Sequence, residues 1–251
     1  MTEYRTESIS ESMTEPITES TTDSIYQQLA FAQLADSSFP SGAYTLSHGL
    51  ESLVQGGVVK TAEDVEAFVR LLLLNKIGPM DLVAIAHTHS ASNSNNMQLI
   101  CEIDARLYAQ TPIEKTRLSQ RQSGRALLMV AGKTWPHAQL TLLSQQTAQN
   151  KINCLHPIIL AVVARIAGLS AQATAIAFTH GFVASLLSAA IRLGAIGHLE
   201  AQQVRLRLAP DMAAACQNYK EQSLDEMWSC TPLIDLAQMR QAKLSRRLFA
   251  S

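Results

Sequence analysis

The sequence predicts an all-α fold: a single compact bundle of about nine or ten helices behind a disordered N-terminal tail. Three observations lead there. Hydrophobic residues make up 47% of the 251 positions while aromatic residues make up only 5%, so Ala, Leu and Gln-rich helices suit the composition better than β-branched, aromatic strands. Apolar positions recur at spacings of three and four, as in Val65, Phe68, Val69, Leu72 and Leu73. No convincing run of strict apolar/polar alternation is found anywhere in the chain.

Taken in order, residues 1–23 carry an acid at every fourth position, from Glu3 to Asp23, with Arg5 as the single base. Like charges at i,i+4 oppose a helix, and the Ser and Thr side chains offer competing local hydrogen bonds, so this segment is expected to be a disordered acidic tail. The helical domain is expected to span residues 24–236. Its first helix begins at Ser24, with Ile25, Leu29, Ala32 and Ala35 on one face, and Ser37-Ser38-Phe39-Pro40-Ser41-Gly42 breaks it. A second helix is expected over 43–55, ended by Gly56-Gly57, and Thr61 caps a third. Gly78-Pro79 is read as the next break, with Pro79 in the first turn of a helix over 80–90.

The polar run Ser92–Asn96 is a loop before a helix over 97–109. Thr111-Pro112-Ile113-Glu114 reads as a start signal: Thr at the cap, Pro at the first helical position, Glu closing a capping box. Trp135-Pro136, His156-Pro157, Gly168-Leu169-Ser170 and Pro210 are read as dividing the rest of the chain into further helices. The segments 158–167 and 173–196 are apolar enough to raise a membrane question. The first is too short to span, and the second carries His180 and Arg192, so both are read as buried helices. On the second, Ala177, Gly181, Ser185 and Ala189 form a strip of small side chains where another backbone can pack closely.

Charge narrows the partners. The net charge is -1, and once the tail is set aside 19 basic residues face 15 acidic ones, too small an excess for a nucleic-acid footprint. The four cysteines are widely spaced, with no C-x-x-C pair, and no cleavable signal is read, so a reducing cytoplasm is expected.

Chemical motifs fail on spacing. Gly132-Lys133-Thr134 invites a phosphate-binding loop and is the alternative reading of the chain, as a nucleotide-binding enzyme, but Leu127 stands where the loop needs glycine. Thr45-Leu46-Ser47-His48-Gly49 misses the nucleophile elbow by its first glycine, and Ser47 and His48 are read as neighbours on one helix. His87 and His89 point to different faces, and His156 and His180 read as core or capping residues. No catalytic residue, metal ligand or cofactor site is assigned.

Four segments together resemble the UreF family of urease accessory proteins: 34–51 (LADSSFPSGAYTLSHGLE), 111–128, 156–203 and 239–251 (MRQAKLSRRLFAS). The resemblance implies an all-α, dimer-forming cytoplasmic protein without enzymatic activity. It would bridge a UreD/UreH-type scaffold and the UreG GTPase while nickel is inserted into apo-urease. By position, Tyr44 matches the family's aromatic contact to the GTPase, with Ser41, Gly42, His48 and Glu51 beside it. In the tail, 237–251, Arg240 and Arg247 supply charge, while Leu248 and Phe249 are expected to be loose until the scaffold buries them. The chain departs from the family pattern at Gln241-Ala242 and over Arg192–His198.

Overall fold

The computed structural model describes residues 19–36, 39, 47–219, 222–241 and 249. Among them the secondary structure is helical throughout, with no strand. The helices are α1 (Glu19–Ala35), α2 (Leu50–Gln55), α3 (Ala62–Leu72), α4 (Val83–Asn93), α5 (Met97–Gln110), α6 (Glu114–Thr134), α7 (Ala138–Ala148), α8 (His156–Ile166), α9 (Ala171–Arg192), α10 (His198–Asn218) and α11 (Pro232–Gln241). A π-helical segment, Leu73–Leu82, joins α3 to α4 without a break, so these three form one rod. With the rod counted once, the described residues form ten helices, as the sequence predicts.

The core is built around α8, in which every residue from Pro157 to Ala164 is buried because the helix is apolar on all sides. The rod's α4 end and α6 pack against it, and α9 packs on α8, α10 and α4. Helix α9 is long and apolar enough to cross a membrane, and two-thirds of its most apolar stretch is buried inside the fold (67%), which accounts for its hydropathy.

The α6–α8 contact depends on one glycine. A Cβ on Gly124 would fall 1.9 Å from the carbonyl oxygen of Cys154, so only hydrogen fits where the two backbones meet. Cys154 itself takes a left-handed φ of 67° in the turn leading into α8. The carboxylate of buried Asp104 braces that turn, accepting the N–H groups of Asn153 at 2.6 Å and Leu155 at 2.9 Å. These bonds offset the strain of an L-residue in that conformation.

Several boundaries differ from the sequence reading. Helix α1 begins at Glu19, inside the segment read as tail. Gly78-Pro79 does not end a helix. Pro79 has no N–H to give within the rod, and donors from outside it serve the neighbouring carbonyls: Cys230 N–H donates to Asn75 O at 2.9 Å and Trp228 N–H to Pro79 O at 3.2 Å. The non-helical stretch ahead of α11 thus supplies the missing donor, and the widened π geometry takes in the ring. Pro210 likewise sits inside α10, on its solvent face, where water can reach the carbonyl left without a donor.

Thr111 does not cap α6: its hydroxyl donates to Leu107 O at 2.9 Å, closing the C-terminal end of α5, and α6 starts only at Glu114 with Ile113 before it. Thr61 does cap α3, its hydroxyl accepting Asp64 N–H while the Asp64 carboxylate accepts Thr61 N–H. The backbone N–H groups of Lys60 and Thr61, both donating to the Asp64 carboxylate, hold it below its ordinary range.

Candidate functional site: a corner shared by two distant segments

Ser47, His48 and Gly49 form a turn rather than part of a helix. His48 and Gly49 both take left-handed backbone angles (φ 50° and 87°), and α2 starts immediately after them. The glycine is needed twice over. Besides its positive φ, a Cβ there would stand 3.1 Å from both Cγ and the backbone nitrogen of Gln238, so the turn lies directly against α11. Gln238, buried, accepts a short hydrogen bond from Thr116 Oγ1 of α6, which ties α11 to the bundle.

Two residues beyond the turn, Glu51 is fully buried and its carboxylate accepts the backbone N–H of Phe249 at 3.3 Å. The Phe249 ring lies beneath the Arg192 guanidinium, with Cζ 4.2 Å from the ring centroid, and the residue is 5% exposed. The expectation that Phe249 stays loose until a partner buries it is therefore overturned: Glu51 and Arg192 already hold it within this chain. Its apolar ring and its N–H both find partners in a groove that α2 and the end of α9 line.

His48 is also buried, its ring edge-on to Phe182 at 5.1 Å. Beneath it, Lys76 and Asp81 form a buried ion pair at 3.0 Å. Burial pushes the His48 imidazole down to about 3, helped by the Lys76 charge, so the ring is neutral. Burial raises the Asp81 carboxyl against the attraction of Lys76. Both His48 and Glu51 thus lie inside the corner and shape it, rather than standing out from it.

Of the residues singled out in the sequence, Ser41, Gly42 and Tyr44 in the turn and Arg247 and Leu248 in the tail lie outside the described residues. Arg240 is exposed on α11, beside an open apolar strip of Leu233, Leu236 and Met239. The structure brings His48, Glu51 and Phe249 together with α11.

Sequence reasoning missed Arg192 as the cover for Phe249, and it missed the Lys76–Asp81 pair. The second left a signal: two opposite charges five apart in an otherwise apolar stretch, interrupted by Gly-Pro. The α period turns such residues away from each other, and the wider π period brings them together.

The other motifs resolve as structure. Gly132-Lys133-Thr134 is the last turn of α6, and Trp135 N–H continues its hydrogen bonding to Ala131 O at 2.8 Å. Its amides serve the helix, so the segment is no phosphate cradle. His87 and His89 point apart, to the carbonyls of Gln222 and Leu169 respectively. His156 is half-buried, its ring tilted against Phe178.

Comparison with known proteins finds relatives over most of the chain. The UreF family profile matches residues 59–209. The chain is 45% identical over 227 residues to the urease accessory protein UreF of Trichodesmium erythraeum (strain IMS101), covering 90% of this chain and 98% of that one. It is 32% identical over 214 residues to the UreF of Xanthobacter autotrophicus, covering 85% and 87% of the two chains, and 29% identical over 223 residues to that of Azorhizobium caulinodans, covering 89% and 95%. A profile match over most of the helical body, together with near full-length identity, makes this chain a member of the UreF family of urease accessory proteins, which take part in urease maturation.

Proposed function

We propose that this protein is a non-catalytic, dimer-forming cytoplasmic scaffold that bridges a UreD/UreH-type protein and the UreG GTPase, and that it regulates GTP-dependent nickel insertion into apo-urease. The observation that carries the reading is the junction of Glu51 with Phe249: the turn segment and the tail segment, each matching a partner-binding stretch of the family, meet on one corner. Two partners seated there would be neighbours, as a bridge requires. The exposed strip Leu233, Leu236 and Met239, with Arg240 at its end, adds apolar area with a charged rim on the same side, the usual composition of a docking surface.

The reading assigns Tyr44, with Ser41 and Gly42, to the GTPase, and Arg240, Arg247 and Leu248 to the UreD/UreH-type scaffold. His48, Glu51 and Phe249 then set the angle between the two faces. The test is capture of both candidate partners by the tagged full chain, with and without GTP. Tyr44→Ala should weaken GTPase capture by roughly 30-fold, the loss of one anchor residue, and leave scaffold capture intact. Removal of residues 242–251 should do the reverse. Equal loss of both partners from either change, or of neither, would reject the bridging arrangement.

A further inference from the structure

Helix α6 packs on α8 and α7, and its other side faces outward. There Leu118 and Met129 stand 48% and 63% exposed. Spacings of three and four put half-buried Arg121 and exposed Arg125 between them, and exposed Lys133 one turn beyond. None of these three cations has an ion-pair partner among the described residues. Glu114, in the first turn, is the only acid in the helix. The outer face therefore mixes apolar and cationic side chains along one line.

Residues 1–18 lie outside the described residues, and their sequence has the complementary character. Glu3, Glu7, Glu11 and Glu15 are offset by Arg5 alone, and Ile9, Met13 and Ile17 fall midway between the acids. Extended backbone puts Ile9, Glu11, Met13, Glu15 and Ile17 on one face, with the Ser, Thr and Pro residues between them on the other. A helix would instead send acids and apolar residues to opposite sides. Only the extended form suits a surface on which apolar and charged groups alternate. Spacing agrees as well: Ile9 and Met13 would be about 13 Å apart, and Leu118 and Met129 are about 16 Å apart along the helix axis.

We infer that the acidic N-terminal segment lies extended along the outer face of α6, antiparallel to it. The place where the segment joins the fold suits this course. Gln27, two turns into α1, lies against Gly168 just after α8, its Cγ 3.5 Å from where a Cβ would stand. Gln139, just after α6, accepts from Arg165 in the last turn of α8 at 2.6 Å. The start of α1 and the end of α6 are thus at the same end of α8. From Glu19, six extended residues reach about 20 Å to Met13 and ten reach about 33 Å to Ile9, against a helix about 31 Å long. Met13 then covers Met129, Glu11 meets Arg125 and Arg121, and Ile9 covers Leu118, with Glu15 beside Lys133. Exposed ion pairs are weak one by one, and the tether offsets this by holding the segment at high local concentration.

This contact is independent of the bridging role, since no partner protein takes part in it. The test compares the full chain, labelled at its methionine methyls and arginine Nε atoms, with a chain lacking residues 2–18. Truncation should move the resonances of Met129, Arg121 and Arg125 and leave those of Arg70 and Arg106, which are ion-paired elsewhere, in place. A peptide of residues 1–18 added to the truncated chain should restore them, with a dissociation constant in the millimolar range that rises at least about fivefold between low and high salt. The same peptide carrying Glu7→Gln, Glu11→Gln and Glu15→Gln should bind at least about tenfold more weakly. In the full chain, Arg125→Glu with Lys133→Glu, both on exposed positions that tolerate the change, should move Met129 as truncation does. The inference is overturned if truncation leaves Met129 unmoved, if peptide binding ignores both salt and the Gln replacements, or if the full-chain resonances move with protein concentration, which would put a second copy's segment on the helix. It is overturned equally if the truncated chain leaves the peptide free and binds vesicles of anionic lipid instead.

Discussion

The carboxylate of Glu51 accepts the backbone N–H of Phe249 at 3.3 Å, joining positions 198 residues apart. Phe249 is itself buried, its ring under the Arg192 guanidinium. Phe249→Ala should lower stability by about 1.5–3 kcal/mol, the worth of one buried aromatic side chain, with helicity almost unchanged. Urea unfolding read by circular dichroism checks this. A loss below a few tenths of a kcal/mol would mean that the ring is not held against Arg192 in solution.

Two glycines of α6 should respond with opposite signs. Gly124→Ala drives a methyl into the Cys154 carbonyl, a contact of 1.9 Å that only backbone movement can relieve, and it should cost upwards of about 3 kcal/mol. Gly132→Ala meets nothing within 4 Å and replaces the poorest ordinary helix former with the best, so it should add about 0.5–1 kcal/mol. Paired denaturation curves decide the matter, and a stabilising Gly124→Ala would show that α6 and α8 lie farther apart than described.

The Lys76–Asp81 pair should behave as a buried pair does. Lys76→Met leaves a carboxylate in an apolar setting and should cost about 3–5 kcal/mol, whereas Lys76→Met combined with Asp81→Val should cost clearly less, since an apolar pair of similar bulk carries no desolvation penalty. A double variant as unstable as the sum of its singles would contradict that account.

Acid should destabilise the fold through its buried imidazoles. Burial holds His156 down to about 4, against an ordinary 6.5, so the unfolded chain takes up the proton first as pH falls. The stabilisation is complete above pH 6.5 and is lost as pH falls towards about 4, at about 1.4 kcal/mol per pH unit for each such histidine. Asp81 and Asp104, whose carboxyls burial raises, act with the opposite sign. The comparison that isolates the effect is His156→Phe against the parent between pH 7 and pH 5, where the variant should show the flatter dependence. Parallel slopes would place His156 in contact with water.

The helical class, the Thr61 cap, the breaks at Trp135-Pro136 and Gly168, and the burial of α8 were all legible because each rests on local spacing. Local rules misjudged Pro79 and Pro210 for a common reason: a distant or solvent group met the hydrogen bond that local accounting left open, whereas Thr111 turned back to Leu107 O, four residues away. Cys230 reaching Asn75 is the clearest case. The site was legible only in its ingredients. His48, Glu51 and Phe249 stood out through family likeness, but their meeting, and the covering role of Arg192, depend on where α2, α9 and α11 pack.

By itself, then, the amino-acid order determined which stretches wind into helices, which faces are apolar, and that the chain is related to urease accessory proteins. Tertiary structure alone decided that Glu51 faces inward to receive Phe249, that Lys76 and Asp81 close into a pair, and that the other helices leave one side of α6 open. Periodicity is a property of neighbours along the chain, whereas a hydrogen bond across 198 positions exists only once separate surfaces have been brought together by burial.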